Sequence, residues 1–384
     1  MSRAGLAVPG AVADLPTPAL LLDLDVLAAN LARMQRLCDR LGVVLRPHAK
    51  THKCVEVARR QRDLGARGLT VSTLHEARVF ADAGFEDLTW AFPLILSRVG
   101  EVRELAERAT LRLVVDSAEA VAALAAERRP FHVFLKVDSG YGRAGVDPES
   151  DHALDLARQI ADAPRLVFDG LLSHSGHAYH AAGPAETRAA QEEERRRIVG
   201  LTERLRGEGI EVGSVSVGST PGIASLAEAG DDALAGVTEA RPGNYVFYDG
   251  TQAALGSCRP EDCAVTVLTS VVSCQPGAAH AVVDAGALAL SKDPGPRHLG
   301  ERWRWGMGAV FPDLAAYRAG RPSEDMHLTS LSQEHGILGR PLAVGTRLRV
   351  LPNHSCLAVP NFPGYHVVRG DEVVDLWAIA GGRD

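Results

Sequence analysis

Short apolar runs rich in β-branched residues alternate with longer stretches of helical periodicity from about residue 20 to residue 250. The first helical stretch places Leu27, Leu31, Met34 and Leu37 three or four positions apart, so these residues form one apolar stripe. Alternating strands and helices are typical of βα units around a parallel sheet. Roughly eight strand candidates occur here, the number that closes a (β/α)₈ barrel. Seven of them begin near Val43, Gly68, Asp87, Leu111, Phe131, Leu166 and Ser214, and the last precedes Arg241.

The pattern changes after Asp249, where turns containing Gly and Pro, and no longer helices, separate the apolar runs. Such a pattern predicts an all-β second domain. Its clearest strand candidates are 263–273, 281–284, 347–352 and 373–379.

These patterns predict an α/β fold in three parts. We expect residues 1–19 to form an N-terminal arm that joins the β-domain, residues 20–250 to form the barrel, and residues 251–384 to form the β-domain. The charged stretch 185–206 fits a solvated barrel helix with i,i+3 and i,i+4 ion pairs, which needs no functional explanation. The segment 284–293 is explained by turn chemistry alone.

Composition narrows the function. A formal charge of −7 without a basic block argues against nucleic acid as a partner. Six irregularly spaced cysteines without a CxxC pair predict no disulfide framework or zinc clip, and they favour a reducing compartment, the cytoplasm. No window approaches ~18 uninterrupted apolar residues, so no membrane span is predicted. Pro9 and Gly10 interrupt the first apolar run, which reads as an arm rather than a leader.

One lysine stands out. The segment Arg46-Pro-His-Ala-Lys-Thr-His-Lys lies where the first barrel strand should end, and catalytic side chains of such barrels lie at that end. A lysine with a populated neutral form condenses with an aldehyde to give a Schiff base. For an arbitrary lysine a solvated charge is the commoner explanation. Because Lys50 directly follows a strand that should be buried, it is the better candidate for that chemistry.

Two loops late in the barrel could bind an anion. The segments Val217-Gly-Ser-Thr-Pro-Gly and Arg241-Pro-Gly-Asn follow strands seven and eight, where barrels commonly build a phosphate site from backbone N–H groups. Two tight turns would use the same residues. Together with Lys50, the loops indicate a phosphorylated aldehyde cofactor, pyridoxal 5′-phosphate (PLP).

A candidate metal pair lies in the β-rich tail, in Leu351-Pro-Asn-His-Ser-Cys-Leu. On a strand, residues i and i+2 project to the same side, so His354 and Cys356 could offer an imidazole nitrogen and a thiolate to one ion. A single His-x-Cys is more often two unconnected side chains. An incomplete ligand shell is nevertheless what a catalytic Lewis acid requires.

These motifs, together with Asp14-Leu-Pro-Thr-Pro-Ala, Lys136-Val-Asp-Ser-Gly-Tyr-Gly-Arg and Ser173-His-Ser-Gly-His-Ala-Tyr, resemble the D-serine dehydratase and D-threonine aldolase family. The resemblance runs in order through nearly the whole chain. It implies an alanine-racemase-like fold, a PLP-binding barrel with a β-domain, and a head-to-tail homodimer with the active site at the interface.

Carried over by position, the resemblance makes Lys50 the Schiff-base lysine. Arg143 corresponds to the residue near the cofactor's phenolic oxygen, Tyr179 to the tyrosine that contacts the cofactor, and His177 lies nearby. His354 and Cys356 correspond to the metal pair. The phosphate cradle corresponds to Gly218, Ser219, Thr220, Gly243 and Asn244.

The metal pair also divides the family. Its aldolases typically show His-x-Asp and its dehydratases His-x-Cys, and this chain has His-Ser-Cys. Zinc is therefore favoured, with manganese, cobalt and magnesium as alternatives. We expect a PLP- and metal-dependent dehydratase that converts a D-3-hydroxy amino acid such as D-serine to a 2-oxo acid and ammonia. Retro-aldol cleavage to glycine and an aldehyde, racemisation, and a non-catalytic PLP-binding protein are the alternatives.

Overall fold

The computed structural model describes residues 10–382, which divide into two compact units. The β-rich unit consists of residues 10–32, 51–56 and 244–381, and the barrel unit consists of residues 33–50 and 57–243. Neither unit is one continuous stretch of chain. No helix within residues 10–382 combines the length and the apolar composition needed to cross a membrane.

The strands of the described residues are short, and most are buried. They are β1 (Ala19–Asp23), β2 (Val44–Leu45), β3 (Leu69–Val71), β4 (Asp87–Pro93), β5 (Thr110–Val115), β6 (Phe131–Lys136), β7 (Leu166–Leu172), β8 (Ser214–Val217), β9 (Glu239–Ala240), β10 (Val265–Ser273), β11 (Ala281–Val283), β12 (Ala309–Phe311), β13 (Leu328–Leu331), β14 (Gly336–Leu338), β15 (Arg347–Leu351), β16 (Gly364–Arg369) and β17 (Glu372–Ala378).

The longer helices lie in the first 210 residues, where they alternate with strands. The helices of the described residues are α1 (Leu24–Arg40), α2 (Val55–Asp63), α3 (Leu74–Asp82), α4 (Val99–Leu105), α5 (Ala118–Ala125), α6 (Asp151–Asp162), α7 (Pro184–Gly207), α8 (Thr220–Ala224), α9 (Gly250–Ala254), α10 (Ala287–Leu290), α11 (Leu314–Arg318) and α12 (Ser355–Ala358).

Local sequence explains several helix starts. Ser117 is the N-cap of α5, and its hydroxyl accepts a hydrogen bond from the Ala120 N–H at 3.3 Å. Thr73 and Ser150 cap α3 and α6 in the same way. Each cap satisfies a backbone donor that has no partner within the helix.

The barrel unit is built on one parallel sheet with the strand order β2-β9-β8-β7-β6-β5-β4-β3. A further parallel bridge pairs His48 with Thr70 and so joins the two ends of this order. The predicted barrel of eight strands is confirmed, and each strand lies at or near its predicted position. Its strands end at the same edge of the sheet, which is where barrels of this class carry their chemistry.

The β-rich unit is built on a mostly antiparallel sheet with the order β13-β14-β11-β10-β1-β16-β17, in which β15 also pairs with β10 and with β12. The strand β1 is central: it runs antiparallel to β10 and parallel to β16. All five of its residues are buried. Upstream, the Val12 N–H donates to the Asp371 carbonyl at 2.8 Å, so the described part of the arm also lies on this sheet.

The observed division of the chain differs from the predicted boundaries. We placed residues 20–250 in the barrel, whereas residues 20–32, which include most of β1 and the start of α1, residues 51–56 and residues 244–250 belong to the β-rich unit. The reason is that β1 is an apolar strand followed directly by a helix, a pattern identical to that of a barrel βα unit. Its partner strand β10 lies more than 240 positions away, where no local pattern indicates the pairing.

A buried ion-pair network connects strands of the barrel unit. Arg46, which is 5% exposed, pairs with Asp87 through two hydrogen bonds of 2.7 and 3.0 Å and with Glu239 at 2.5 Å. Glu239 also accepts from the Ser216 hydroxyl, and Ser216 in turn accepts from Arg241. Burial alone would lower the pKa of Arg46, but Glu239 and Asp87 outweigh it and raise the pKa. The guanidinium therefore stays charged in the core.

Replacing Glu239 by Gln should lower the free energy of unfolding by about 3 kcal/mol, because it removes one anionic partner of a buried cation. The same change at Glu193, whose partners Arg196 and Arg197 lie on the surface, should cost no more than about 0.5 kcal/mol. Urea unfolding of both variants measures the difference. Equal effects at the two positions would contradict a structural role for the buried pair.

Candidate active site

Three basic residues of the barrel unit lie where its strands end. Lys50 follows β2, Lys136 is the last residue of β6, and Arg241 directly follows β9. Lys136 and Arg241 are 7% and 5% exposed. Because all three follow the carboxyl ends of parallel strands, they belong to the same end of the barrel.

Burial shapes the charge of these groups. Desolvation, with a further contribution from Arg241 and Arg143, lowers the pKa of Lys136 from 10.5 to about 7. Desolvation also lowers the pKa of Arg241 to about 10, against the opposing effect of Glu239 and Glu194. Lys136 is therefore an amine that is partly neutral near pH 7, whereas Arg241 remains a cation.

His174 contributes a neutral imidazole. Its Nδ1 lies 2.7 Å from the Gly218 carbonyl, which can only accept, so Nδ1 carries the proton. Burial, reinforced by Lys50, lowers the pKa of His174 well below its usual value. The ring of Tyr141 packs edge-on against His174 at 6.2 Å, and the Arg143 guanidinium lies 5.2 Å from the centre of the same tyrosine ring.

The loop after β8 is tightly built. The Ser219 hydroxyl accepts from the Gly222 N–H at 3.2 Å and so caps α8. Gly218 has φ +136°, and a Cβ there would lie 2.9 Å from the Arg241 backbone nitrogen. A Cβ on Gly222 would overlap the Gln191 side chain. Gly218 is thus required by the close approach of the Arg241 backbone, and Gly222 by that of the Gln191 side chain, a packing that an anion-binding loop and a tight turn would both need.

Glu194 on α7 was missed by the sequence analysis. The prediction of a solvated helix holds for Glu192 and Glu193, but Glu194 is fully buried. Its Oε1 accepts from the Ser173 hydroxyl at 2.7 Å and from the Gly218 N–H at 3.4 Å, while its Oε2 is buried and has no hydrogen-bond partner among residues 10–382. Glu194 is therefore a counter-charge to Lys136 and Arg241.

The other predicted cofactor residues lie in both units. Arg143 is exposed in the loop after β6, and His177 and Tyr179 lie in the 3₁₀ turn Gly176–His180. Gly243 belongs to the barrel unit, together with Gly218, Ser219 and Thr220, whereas Asn244 belongs to the β-rich unit. The Asn244 side-chain amide donates to Asp249 at 2.6 Å and to Ser355 at 3.0 Å. Its side chain is thus engaged with the β-rich unit, and only its backbone is left for a phosphate.

Within the β-rich unit, His354 and Cys356 come together as predicted, but not on a strand. The strand β15 ends at Leu351, His354 is the N-cap of α12, and Cys356 lies in the first turn of that helix. The pair therefore lies at the start of a helix, and the prediction that it lies on a strand was wrong. The imidazole and the thiol are nevertheless hydrogen-bonded. Burial would lower the pKa of His354, but the hydrogen bond to Asp293, followed by the one to Cys356, outweighs burial and raises it.

Buried polar groups hold this turn in place. Asp249 accepts from the Ser355 N–H at 2.9 Å and from the Gln252 N–H at 3.0 Å. Burial raises the pKa of Asp249, and His354 and these donors offset part of the effect. The Cys356 sulfur contacts the Thr51 hydroxyl at 3.2 Å and the Asn244 amide at 3.7 Å.

The residues present fit both groups that the resemblance implies. The barrel unit offers an amine at Lys50, the buried basic residues Lys136 and Arg241, and a glycine-lined loop, which suit an aldehyde that carries a phosphate. The β-rich unit offers a thiol and an imidazole in contact, a donor pair that zinc accepts. Within residues 10–382 no group of three or more His, Cys, Asp and Glu side chains is placed to hold a metal, so the pair would be completed by water or substrate.

Comparisons with known proteins show which families, relatives and solved structures this chain resembles. Residues 22–250 match the family described as alanine racemase, N-terminal domain, and residues 264–368 match the family described as putative serine dehydratase domain. The chain is 39% identical over 380 residues to the D-threo-3-hydroxyaspartate dehydratase of Delftia sp. (strain HT23), covering 94% of this chain and 97% of that protein. The solved structure of that enzyme matches with a TM-score of 0.89 over 97% of this chain and 100% of the other.

This chain belongs to the D-serine dehydratase and D-threonine aldolase family.

Other members lie at similar distance. A D-serine dehydratase from Dictyostelium discoideum is 35% identical, covering 94% of this chain and 95% of that protein. A D-threonine aldolase from Arthrobacter sp. is 32% identical, covering 97% and 95%. Solved structures of D-threo-3-hydroxyaspartate dehydratase that match this chain at 38% identity include a cysteine-to-alanine mutant in the metal-free form and a histidine-to-alanine mutant. The family thus contains both dehydratases and aldolases.

Some site residues of this family member carried a sequence signal that was not used. Lys136 and Arg241 begin two of the quoted motifs, and a lone cation at the end of a buried strand is such a signal. Glu194 and Asp293 had none, because each lies in a polar segment with an ordinary structural explanation. Their roles depend on contacts that only the folded chain reveals.

The lowered pKa of Lys136 predicts a pH dependence of stability. Between pH 7 and about 10.5, the unfolded chain binds a proton that the folded chain does not, so the free energy of unfolding should rise with pH by up to about 1.4 kcal/mol per unit. Burial of the protonated amine lowers the free energy of unfolding by its full amount below pH 7, and this destabilisation decreases as the pH rises. Lys136→Met lacks the group, so its stability gain over wild type in urea unfolding should be largest below pH 7 and shrink above it. Parallel pH curves would contradict the assignment.

Proposed function

We propose that this chain is a PLP- and divalent-metal-dependent dehydratase that converts a D-3-hydroxy amino acid to a 2-oxo acid and ammonia. The observation that carries the proposal is the contact between the His354 imidazole and the Cys356 thiol in a turn ordered by Asp249. Dehydration expels hydroxide, a poor leaving group, and a Lewis acid lowers that cost. The relatives named dehydratases support the same assignment.

The side chains have distinct roles. Lys50 Nζ holds the cofactor and accepts the proton from the substrate's α-carbon. PLP, when bound, supplies an electron sink for the charge left on that carbon. The loop of Gly218, Ser219 and Thr220, with Gly243 and the backbone of Asn244, binds the phosphate. Arg143, His177 and Tyr179 orient the pyridine ring of the cofactor. The substrate loses water and regains it when ammonia leaves, so D-serine gives pyruvate and ammonia.

His354 and Cys356 would hold the metal, and zinc is the ion we propose. Thiolate and imidazole together favour zinc over magnesium or manganese, with cobalt as a workable substitute. Support comes from the two mutant structures of a D-threo-3-hydroxyaspartate dehydratase, in which the replaced histidine and cysteine are two positions apart, as His354 and Cys356 are here.

The homodimer and the cytoplasmic location predicted above are part of the same proposal. All six cysteines lie within residues 10–382 and form no disulfide there, which suits a reducing compartment and a thiolate ligand. Light scattering should give a particle mass near twice 40.8 kDa.

Product analysis tests the reaction. Incubation with D-serine, D-threonine and D-threo-3-hydroxyaspartate should give 2-oxo acid and ammonia in equal amounts. A chelator should abolish turnover, and Zn²⁺ should restore it. Glycine with an aldehyde would show an aldolase, the L-enantiomer would show a racemase, and bound PLP without turnover of any substrate would show a non-catalytic carrier. Each of these results would overturn the proposal.

Lysine mapping tests the cofactor site. The chain has only four lysines, Lys50, Lys53, Lys136 and Lys292. Borohydride reduction followed by peptide mass analysis should place the cofactor on Lys50, and attachment to Lys53 or Lys136 would refute the assignment. Lys50→Ala should lower kcat by about 10³-fold or more. The neighbouring Lys53→Ala is the matched control and should stay within about twofold.

A further inference from the structure

All four polar atoms of Asp293 form hydrogen bonds, two of them to the turn that carries His354 and Cys356. Its Oδ2 lies 3.0 Å from His354 Nδ1, and its Oδ1 accepts from the Gly295 N–H at 2.8 Å. Its backbone carbonyl accepts from the Asn353 amide at 3.0 Å, and its backbone N–H donates to the Ser291 hydroxyl at 3.2 Å. The aspartate is held in one position, with one carboxylate oxygen directed at the imidazole.

The contact determines which imidazole nitrogen is available. An ionised carboxylate only accepts hydrogen bonds, so the proton of a neutral His354 must lie on Nδ1. The Nε2 lone pair is then left for a ligand. A carboxylate that holds a histidine in this way also fixes the plane of the ring and makes the nitrogen more basic.

We propose that Asp293 is a positioning residue of the metal centre: through His354 Nδ1 it presents His354 Nε2 to the metal beside the Cys356 sulfur. The inference rests on the proposed metal pair and extends it to a residue that turn chemistry alone had explained. Because the pair supplies only two protein ligands, their orientation determines more of the affinity than in a site with three or four.

The second ligand has comparable support. The Cys356 sulfur contacts the Thr51 hydroxyl at 3.2 Å and the Asn244 amide at 3.7 Å. Hydrogen-bond donors of this kind stabilise a thiolate. Each ligand of the pair thus has hydrogen-bonding neighbours of the kind that orient the ligands of metal sites.

The decisive variant is Asp293→Asn. An asparagine can keep the Gly295 turn through its carbonyl oxygen, but its amide then donates to His354 Nδ1 and forces the proton to Nε2, the nitrogen the metal needs. A residue that only forms a turn would tolerate this isosteric change. A residue that sets the tautomer would not, so Asp293→Asn should be as damaging as Asp293→Ala.

The measurement is metal affinity of the PLP-loaded enzyme, with Zn²⁺ in competition with a chromophoric chelator. Asp293→Asn and Asp293→Ala should each weaken Zn²⁺ binding by about 10- to 100-fold. The matched control Asp313→Asn, an N-cap aspartate of α11 in the same unit, should stay within about twofold. With Co²⁺, the thiolate charge-transfer band should persist in the Asp293 variants at saturating metal, because Cys356 remains.

Cys356→Ala separates the two levels of the argument. Wild-type affinity in Cys356→Ala would overturn the metal pair itself, and with it this inference. Loss of affinity in Cys356→Ala together with wild-type affinity in Asp293→Asn would overturn the inference alone. Thermal unfolding without metal confirms that each variant is folded, and Asp293→Asn, which retains the turn acceptor, keeps the test valid should Asp293→Ala fail to fold.

Discussion

The arrangement of side chains at the carboxyl ends of the barrel strands depends on how the barrel unit pairs its buried charges. An unpaired guanidinium in the core would cost several kcal/mol, so Arg46 is fully engaged by Asp87 and Glu239. Glu239 extends the network through Ser216 to Arg241. Side-chain hydrogen bonds and ion pairs thus link the ends of β2 and β9 with β4 and β8, in addition to the backbone bonds. Arg241, at the end of β9, is held in place by this network before any anionic ligand binds.

In the β-rich unit, two carboxylates in different environments position the residues of the metal pair. Asp249 is fully buried and accepts from several donors, so it orders the backbone that carries Ser355. Asp293 is partly exposed and acts on a side chain, His354. One carboxylate places the turn and the other orients the ligand. A two-residue donor pair can be specific on this basis, because its geometry is set by neighbours rather than by further ligands.

Much of the fold was predictable because local sequence patterns indicate the strands and helices of the barrel. Apolar runs, their spacing and the Ser117 cap are all readable within a short window. The strand β1 escaped this reading, since a buried strand followed by a helix looks the same whichever sheet it joins. Its membership is decided by pairing with β10 and β16, hundreds of positions away. Long-range pairing is the information that a single sequence does not display.

In the candidate site, too, local sequence patterns indicate some residues, whereas only the folded chain shows the others. Lys50 and the loop from Gly218 lie in contiguous motifs whose chemistry can be argued from residue type and position. The metal pair His354 and Cys356 also lies in a contiguous motif, but the groups that hold it do not. Asp293 contacts His354 from 61 positions away, and Thr51 contacts Cys356 from 305 positions away. A supporting residue needs only one acceptor or donor at one point in space, and many sequences provide that. Reactive groups therefore leave local signatures, whereas the residues that orient them become visible only in the folded chain.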